Sequence, residues 1–161
     1  MPVRPATTDD LDTISDMGLR FMGRTRYAAT ISPSRDEIKH AFAGILVNGR
    51  IWVAEIDGVV HGFIACIMQG AWFAPNIRIA LEAAWWMDED FRGRPEGVRL
   101  LLAFERWAKE EKADAVCMSD IVIEGNTAAA SILERLGYAV SERTFFKATP
   151  CTTTASERPA T

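Results

Sequence analysis

The stretch "DEDFRGRPEGVRLL" (Asp88–Leu101) stands between an apolar, strand-like run and a run with helical periodicity. Its acidic head, Asp88, Glu89 and Asp90, leads directly into arginines at Arg92, Arg94 and Arg99. A glycine-containing turn from strand to helix presents the helix's first backbone amides, which lack intrahelical acceptors, at the positive end of the helix dipole. Such a place suits a phosphate. Pro95 removes one amide from the set, because proline carries no N–H. Its fixed φ nevertheless suits the first position of a helix, which leaves the amides of Glu96, Gly97 and Val98 to point outward. Short glycine motifs also arise as plain turns whose arginines face water, so these residues alone leave an anion site and a simple turn both open.

Working outward, "RIALEAAWWM" (Arg78–Met87) reads as a core strand entering this turn. Before it, "RIWVAEIDGVVHGFIACIMQG" holds two β-type runs, 51–56 and 59–69, joined at Asp57-Gly58, a pair suited to a tight hairpin turn. The second run is apolar almost throughout and belongs in the middle of a sheet. Nearer the N-terminus, a short extended piece precedes Thr8 as N-cap, and Leu11, Ile14, Met17 and Phe21 keep helical spacing to about Arg24. Ser34 and Glu37 have the spacing of a capping box ahead of Ile38, Ala41, Phe42, Ile45 and Leu46.

After the turn, Val98, Leu101, Leu102, Phe104, Trp107 and Ala108 form one broad helical face from Pro95 or Glu96 onward. "DAVCMSDIVI" reads as a short buried strand, and "EGNTAAASILERLGY" as a helix entered at Asn126 and stopped by Gly137. "AVSERTFFKA" (139–148) reads as closing β structure, and the low-complexity remainder as a disordered tail, 149–161. The order β-α-α-β-β-β-α-β-α-β predicts an α+β, mixed α/β fold in a single domain, 1–148.

Composition narrows the function. The chain of 161 residues is 48% hydrophobic and 25% charged, which fits a folded domain with a real core. No apolar run approaches ~18 residues, so no membrane association is expected. The net charge of −4 argues against a nucleic-acid partner. Cys66, Cys117 and Cys151 lack paired spacing, and the first ten residues lack a basic segment followed by an apolar block, so unpaired thiols in a cytoplasmic protein are expected. His40 and His61 have no ligand-spaced companions, and no metal is assigned.

Two motifs in order, "RGRPEG" after a core strand and Asn126 followed by Ala129, Leu136, Gly137 and Tyr138, resemble the GCN5-related N-acetyltransferases, the GNAT proteins, over about residues 3–147. The family loop has the form Arg/Gln-x-x-Gly-x-Gly/Ala, and Pro95 departs from it where the family has its first glycine. The resemblance implies a central mixed sheet flanked by helices and acetyl-CoA as co-substrate. It places the amides of Arg92, Gly93, Arg94, Glu96, Gly97 and Val98 on the CoA pyrophosphate, with charge from Arg92 and Arg94. It sets the strand edge at Trp86 and Met87 against the pantetheine arm, and puts Asn126 either on the cofactor or simply at the N-cap.

By the same resemblance Glu82 is the candidate general base; the other reading is a strand glutamate facing solvent or paired with Arg78. The position where many members carry a thiolate-protonating tyrosine is Leu133, Tyr138 sits where the family packs an aromatic, and Ser119 and Asp120 are weaker candidates. Trp72 and Phe73 either line the acceptor site or pack the sheet edge. The function implied is transfer of acetyl from acetyl-CoA to a primary amine of a small molecule or protein. The alternative is a catalytically silent domain of this fold that binds CoA or a protein partner. Many domains of this type pair, so a homodimer is an expected assembly.

Overall fold

The computed structural model describes residues 2–120 and 128–149. A five-stranded sheet carries the chain in the order β1 (Val3–Pro5), β2 (Gly49–Ile56), β3 (Val59–Ala71), β4 (Ala74–Met87) and β5 (Ala115–Cys117). The first four strands are antiparallel to their neighbours, while β4 and β5 run parallel. The helices are α1 (Leu11–Gly23), α2 (Arg35–Asn48), α3 (Pro95–Glu110) and α4 (Ala128–Arg135). This is the α+β class that the element order predicts, with the mixed sheet flanked by helices that the resemblance implies.

Local chemistry places most boundaries. Asp57 and Gly58 take φ of 52° and 79°, the consecutive left-handed pair that a two-residue hairpin turn requires. Ser34 caps α2, with its hydroxyl accepting from the Glu37 amide at 3.2 Å and the Glu37 carboxylate accepting from the Ser34 amide at 2.7 Å. At the first helix the expected Thr8 cap is displaced by one residue. Thr7 is the cap, of a 3-10 turn over Thr8–Asp10, because its amide donates to Asp10 at 2.8 Å while Asp10 also receives Arg4.

The sheet has a core on each face. On one side α1 and α2 bury Ile14, Met17, Ile38 and Phe42 against Ile51, Val53, Phe63 and Trp86. On the other, α3 buries Leu100, Leu101, Phe104 and Trp107 against Trp52, Ile64, Cys66 and Ala80. β3 lies in the middle and is buried on both faces from Gly62 to Cys66, as its unbroken apolar run anticipates.

Three expectations are corrected. The strand read in "DAVCMSDIVI" is only Ala115–Cys117 and is at most half-buried, because it leaves β4 after three paired positions; residues 121–123 lie outside the described residues. The segment 139–149 forms no strand. Its backbone joins no ladder, Val140 and Phe145 are exposed, and Phe146 instead meets Tyr27 edge-on at 5.0 Å, leaving too few apolar side chains on one face to hold a strand against the sheet. Trp72 and Phe73 are the two residues of the β3–β4 turn and stand 91% and 70% exposed, touching each other edge-on rather than packing the sheet edge.

Phe104 has no solvent exposure in the α3-side core. Phe104→Ala should therefore cost about 3–5 kcal/mol through lost burial and a residual cavity, read as a lowered denaturation midpoint at unchanged slope.

Candidate active site

β4 and β5 are paired only at Ile79–Ala115, Ala80–Val116 and Leu81–Cys117. Beyond Leu81 the edge of β4 that faces β5 has no strand partner among the described residues, and the two chains part into an open-ended gap. Where they part, β4 carries a bulge: Ala84 opposes Ala65, Glu82 opposes Cys66, and Ala83 between them opposes nothing. The extra residue reverses the alternation of side chains. Ala80, Trp85 and Met87 all lie on the α3 side, whereas Ala84 and Trp86 lie on the α1–α2 side.

Glu82 sits at the floor of this gap. The Ser119 amide, just past the end of β5, donates to its carboxylate at 3.3 Å. Burial penalises the charged form and outweighs that hydrogen bond, so the Glu82 pKa is pushed up to about 7. Arg78 does not neutralise it, because that guanidinium is drawn to Glu111, with its Nη2 3.5 Å from the carboxylate. The same burial raises the Cys66 thiol well above its ordinary range, and Glu82 adds to the effect.

The turn predicted to bind an anion follows the end of β4. Gly93 takes φ of 78°, a left-handed conformation that favours glycine. Pro95 occupies the start of α3, and Arg94, the N-cap, contributes no side-chain cap, so nothing in the chain's own caps takes up the amides of Glu96 and Gly97. Val98, the fourth helical residue, instead turns its amide into the helix toward the Arg94 carbonyl, which corrects its expected role as an anion donor. Gly97 is buried on Met87 and Trp85. Trp85 Nε1 is itself buried without a hydrogen-bond partner among the described residues.

The arginines are less available than their sequence suggests. Arg92 folds back, donating through Nε to the Met87 carbonyl at 3.1 Å and lying 4.7 Å from the Trp86 ring centroid. Burial holds its pKa below the usual guanidinium value. Arg94 lies 4.5 Å from the Phe91 ring centroid, and Arg99 pairs with Glu96 at 2.9 Å. Trp86 and Met87 have almost wholly buried side chains, so the strand edge they offer is backbone.

A polar cluster that sequence reasoning did not assemble lies on the α1 face of this turn. A cavity of about 620 Å³ there is lined by residues from α1, β3 and the end of β4, among them Arg20, Arg24, His61 and Asp88. Arg20 pairs with Asp88 at 2.9 Å, and Arg24 pairs with Glu89. The usable signal was the four-residue spacing of Arg20 and Arg24, which puts both on one face of α1. Among the described residues no group of three His, Cys, Asp or Glu could hold a metal, and no helix is long and apolar enough to cross a membrane.

The pattern of the acetyltransferase (GNAT) family matches residues 21–138. The chain belongs to the GNAT family. Among solved structures, one described as "a probable acetyltransferase" is 17% identical with a TM-score of 0.71, over 96% of this chain and 100% of the other. AAC(6')-Iy, solved with the bisubstrate analogue CoA-S-monomethyl-acetylneamine, is 19% identical with a TM-score of 0.68, over 92% and 97%. A transcriptional regulator from Bacillus halodurans C-125 is 16% identical with a TM-score of 0.71, over 91% and 98%. At such identities the shared property is the fold. No curated protein matches the sequence.

Of the remaining GNAT signature residues, Gly137 takes φ of 91° and closes α4, with its amide reaching Glu134 and the Tyr138 amide reaching Leu133, both at 3.0 Å. Leu133 is buried in the α3-side core, and Tyr138 packs against that core. Asn126 and Cys151 lie outside the described residues.

The shift at Glu82 sets a sign for stability. A carboxyl raised above its ordinary 4.5 favours folding while protonated, and that advantage is lost as pH rises from there through about 7. Glu82→Gln should match the parent near pH 5 and exceed it near pH 8 by on the order of 2 kcal/mol, read from denaturation midpoints at the two pH values.

Proposed function

We propose that this chain is an N-acetyltransferase that moves the acetyl group of acetyl-CoA to a primary amine of a small molecule or protein. The observation that carries this reading is Glu82, a carboxyl poised at about 7 on the floor of the gap between β4 and β5. A base with that value accepts a proton readily at neutral pH, where an alkyl ammonium with pKa near ~10 holds one. In the step, the amine nitrogen bonds to the thioester carbon, its proton passes to Glu82, and the carbon–sulfur bond breaks to release thiolate. With Leu133 buried and apolar, no side-chain acid is assigned; a thiol of pKa ~8.5 leaves as thiolate near neutral pH.

The rest of the gap supports the same substrate. The free amides of Glu96 and Gly97 suit a pyrophosphate, and Gly93 and Arg94 lie beside them. The unpaired edge of β4 up to Trp86 and Met87 suits the amides of a pantetheine arm, added as a further strand-like partner. Arg92 would leave the Met87 carbonyl for a phosphate when that edge is taken. AAC(6')-Iy, solved with a CoA-linked aminoglycoside analogue, is a precedent for a small amine acceptor on this fold.

A second reading, a domain that binds CoA or a protein without turnover, is favoured by the apolar Leu133 and by the regulator that shares the fold. Calorimetry with acetyl-CoA followed by CoA release across a panel of amines decides between them. Binding with turnover is expected; binding without turnover supports the silent CoA-binding domain, and no binding at tens of micromolar overturns both CoA readings, leaving the protein-binding one. With an acceptor in hand, kcat/KM should rise with pH and level off above about 7, following Glu82. Glu82→Gln should abolish that rise and lower kcat by on the order of 100-fold or more, with CoA affinity held within about twofold. Arg94→Ala should weaken CoA binding by about three- to tenfold at low salt, and by less at high salt.

A further inference from the structure

We propose that His61 is a positioning residue for the β4–α3 turn, acting on cofactor phosphate binding through Phe91; the inference rests on the acetyl-CoA reading above. His61 occupies a second bulge. Ala54 opposes Gly62 and Glu55 opposes Val60, so His61 between them opposes no residue of β2. A bulged residue is released from the pleat and its side chain is re-aimed. The imidazole lies flat on the Phe91 ring, with centroids 3.7 Å apart and planes 12° from parallel. Phe91 in turn carries the guanidinium of Arg94, the N-cap of α3.

The backbone locks the same residues together. The His61 carbonyl accepts the Asp88 amide at 2.8 Å, and the Asp88 carbonyl accepts the Phe91 amide at 2.9 Å. The Asp88 carboxylate lies 3.4 Å from His61 Nδ1 and also receives Trp86 Nε1 at 3.1 Å and Arg20 at 2.9 Å. A continuous run of contacts therefore leads from the middle of the sheet to the start of α3: His61 fixes the plane of Phe91, and Phe91 fixes where the Arg94 charge sits. Flat stacking over a short 3-10 turn holds a segment, Glu89–Phe91, that buries none of its own residues.

The test is a calorimetric titration of CoA into His61→Ala, His61→Phe and His61→Asn, with melting midpoints recorded for each. His61→Ala should weaken CoA binding about five- to tenfold, His61→Phe should recover it to within about twofold by restoring the stack, and His61→Asn should stay weak. In a Phe91→Leu background the His61→Ala effect should shrink below about twofold, since the pathway is already cut. Once an acceptor is known, the loss should appear in KM for acetyl-CoA rather than in kcat. Parent-like CoA affinity in His61→Ala, or an equal loss in both backgrounds, overturns the proposal while leaving the acetyl-CoA reading intact. Failure of the parent chain to bind CoA overturns both.

Discussion

The separation of β4 from β5 after three paired positions is the constraint from which the site follows. Two parallel strands that continued together would satisfy each other's backbone groups and leave no entry to the sheet. Here the ladder stops at Leu81 and Cys117, and the first groups beyond it answer each other differently: the Ser119 amide turns to the Glu82 carboxylate. One strand edge is left with hydrogen-bonding capacity and no protein partner among the described residues. Direct pairing with Cys66 sets Glu82 on the α3 side, and the bulge at Ala83, at the point of separation, re-aims the residues that follow. Position, burial and altered acidity of that carboxyl thus share one origin in strand pairing.

Under the acetyl-CoA reading the turn after β4 would meet a different demand, the holding of an anion by groups that need little rearrangement. Gly93 supplies a backbone conformation that other residues adopt at a cost, and Pro95 fixes the first residue of α3 without sacrificing a hydrogen bond that the helix would have made. The two nearby arginines lie over aromatic rings while remaining exposed to solvent. Side chains already confined lose less entropy when a ligand arrives, which favours binding beyond what contact alone would give.

Local signals were legible in the sequence wherever a single residue type dictates backbone geometry. Asp57-Gly58, the Ser34–Glu37 pair, Pro95 and Gly137 mark their turns and caps, and the apolar run of β3 marks the centre of the sheet. Glu82 was recoverable as a candidate because it is the sole carboxylate of its strand. Its altered acidity was not, since that depends on how other elements enclose the carboxyl, which the strand's own residues do not display. The cluster of Arg20, His61 and Asp88 was hidden for the same reason: three elements far apart in the chain contribute one residue each. "AVSERTFFKA" misled because its few apolar residues suggest strand alternation, although they do not make one buried face.

Cys66 gives the gap a chemical consequence of its own. Its thiol lies across from Glu82 on the neighbouring strand, close enough for the carboxyl to disfavour the thiolate, and complete burial disfavours it further. Only a thiolate competes for an acyl group. A sulfur held so firmly as the buried thiol is a poor nucleophile, so Cys66 itself is disfavoured as a place for an acyl group to rest.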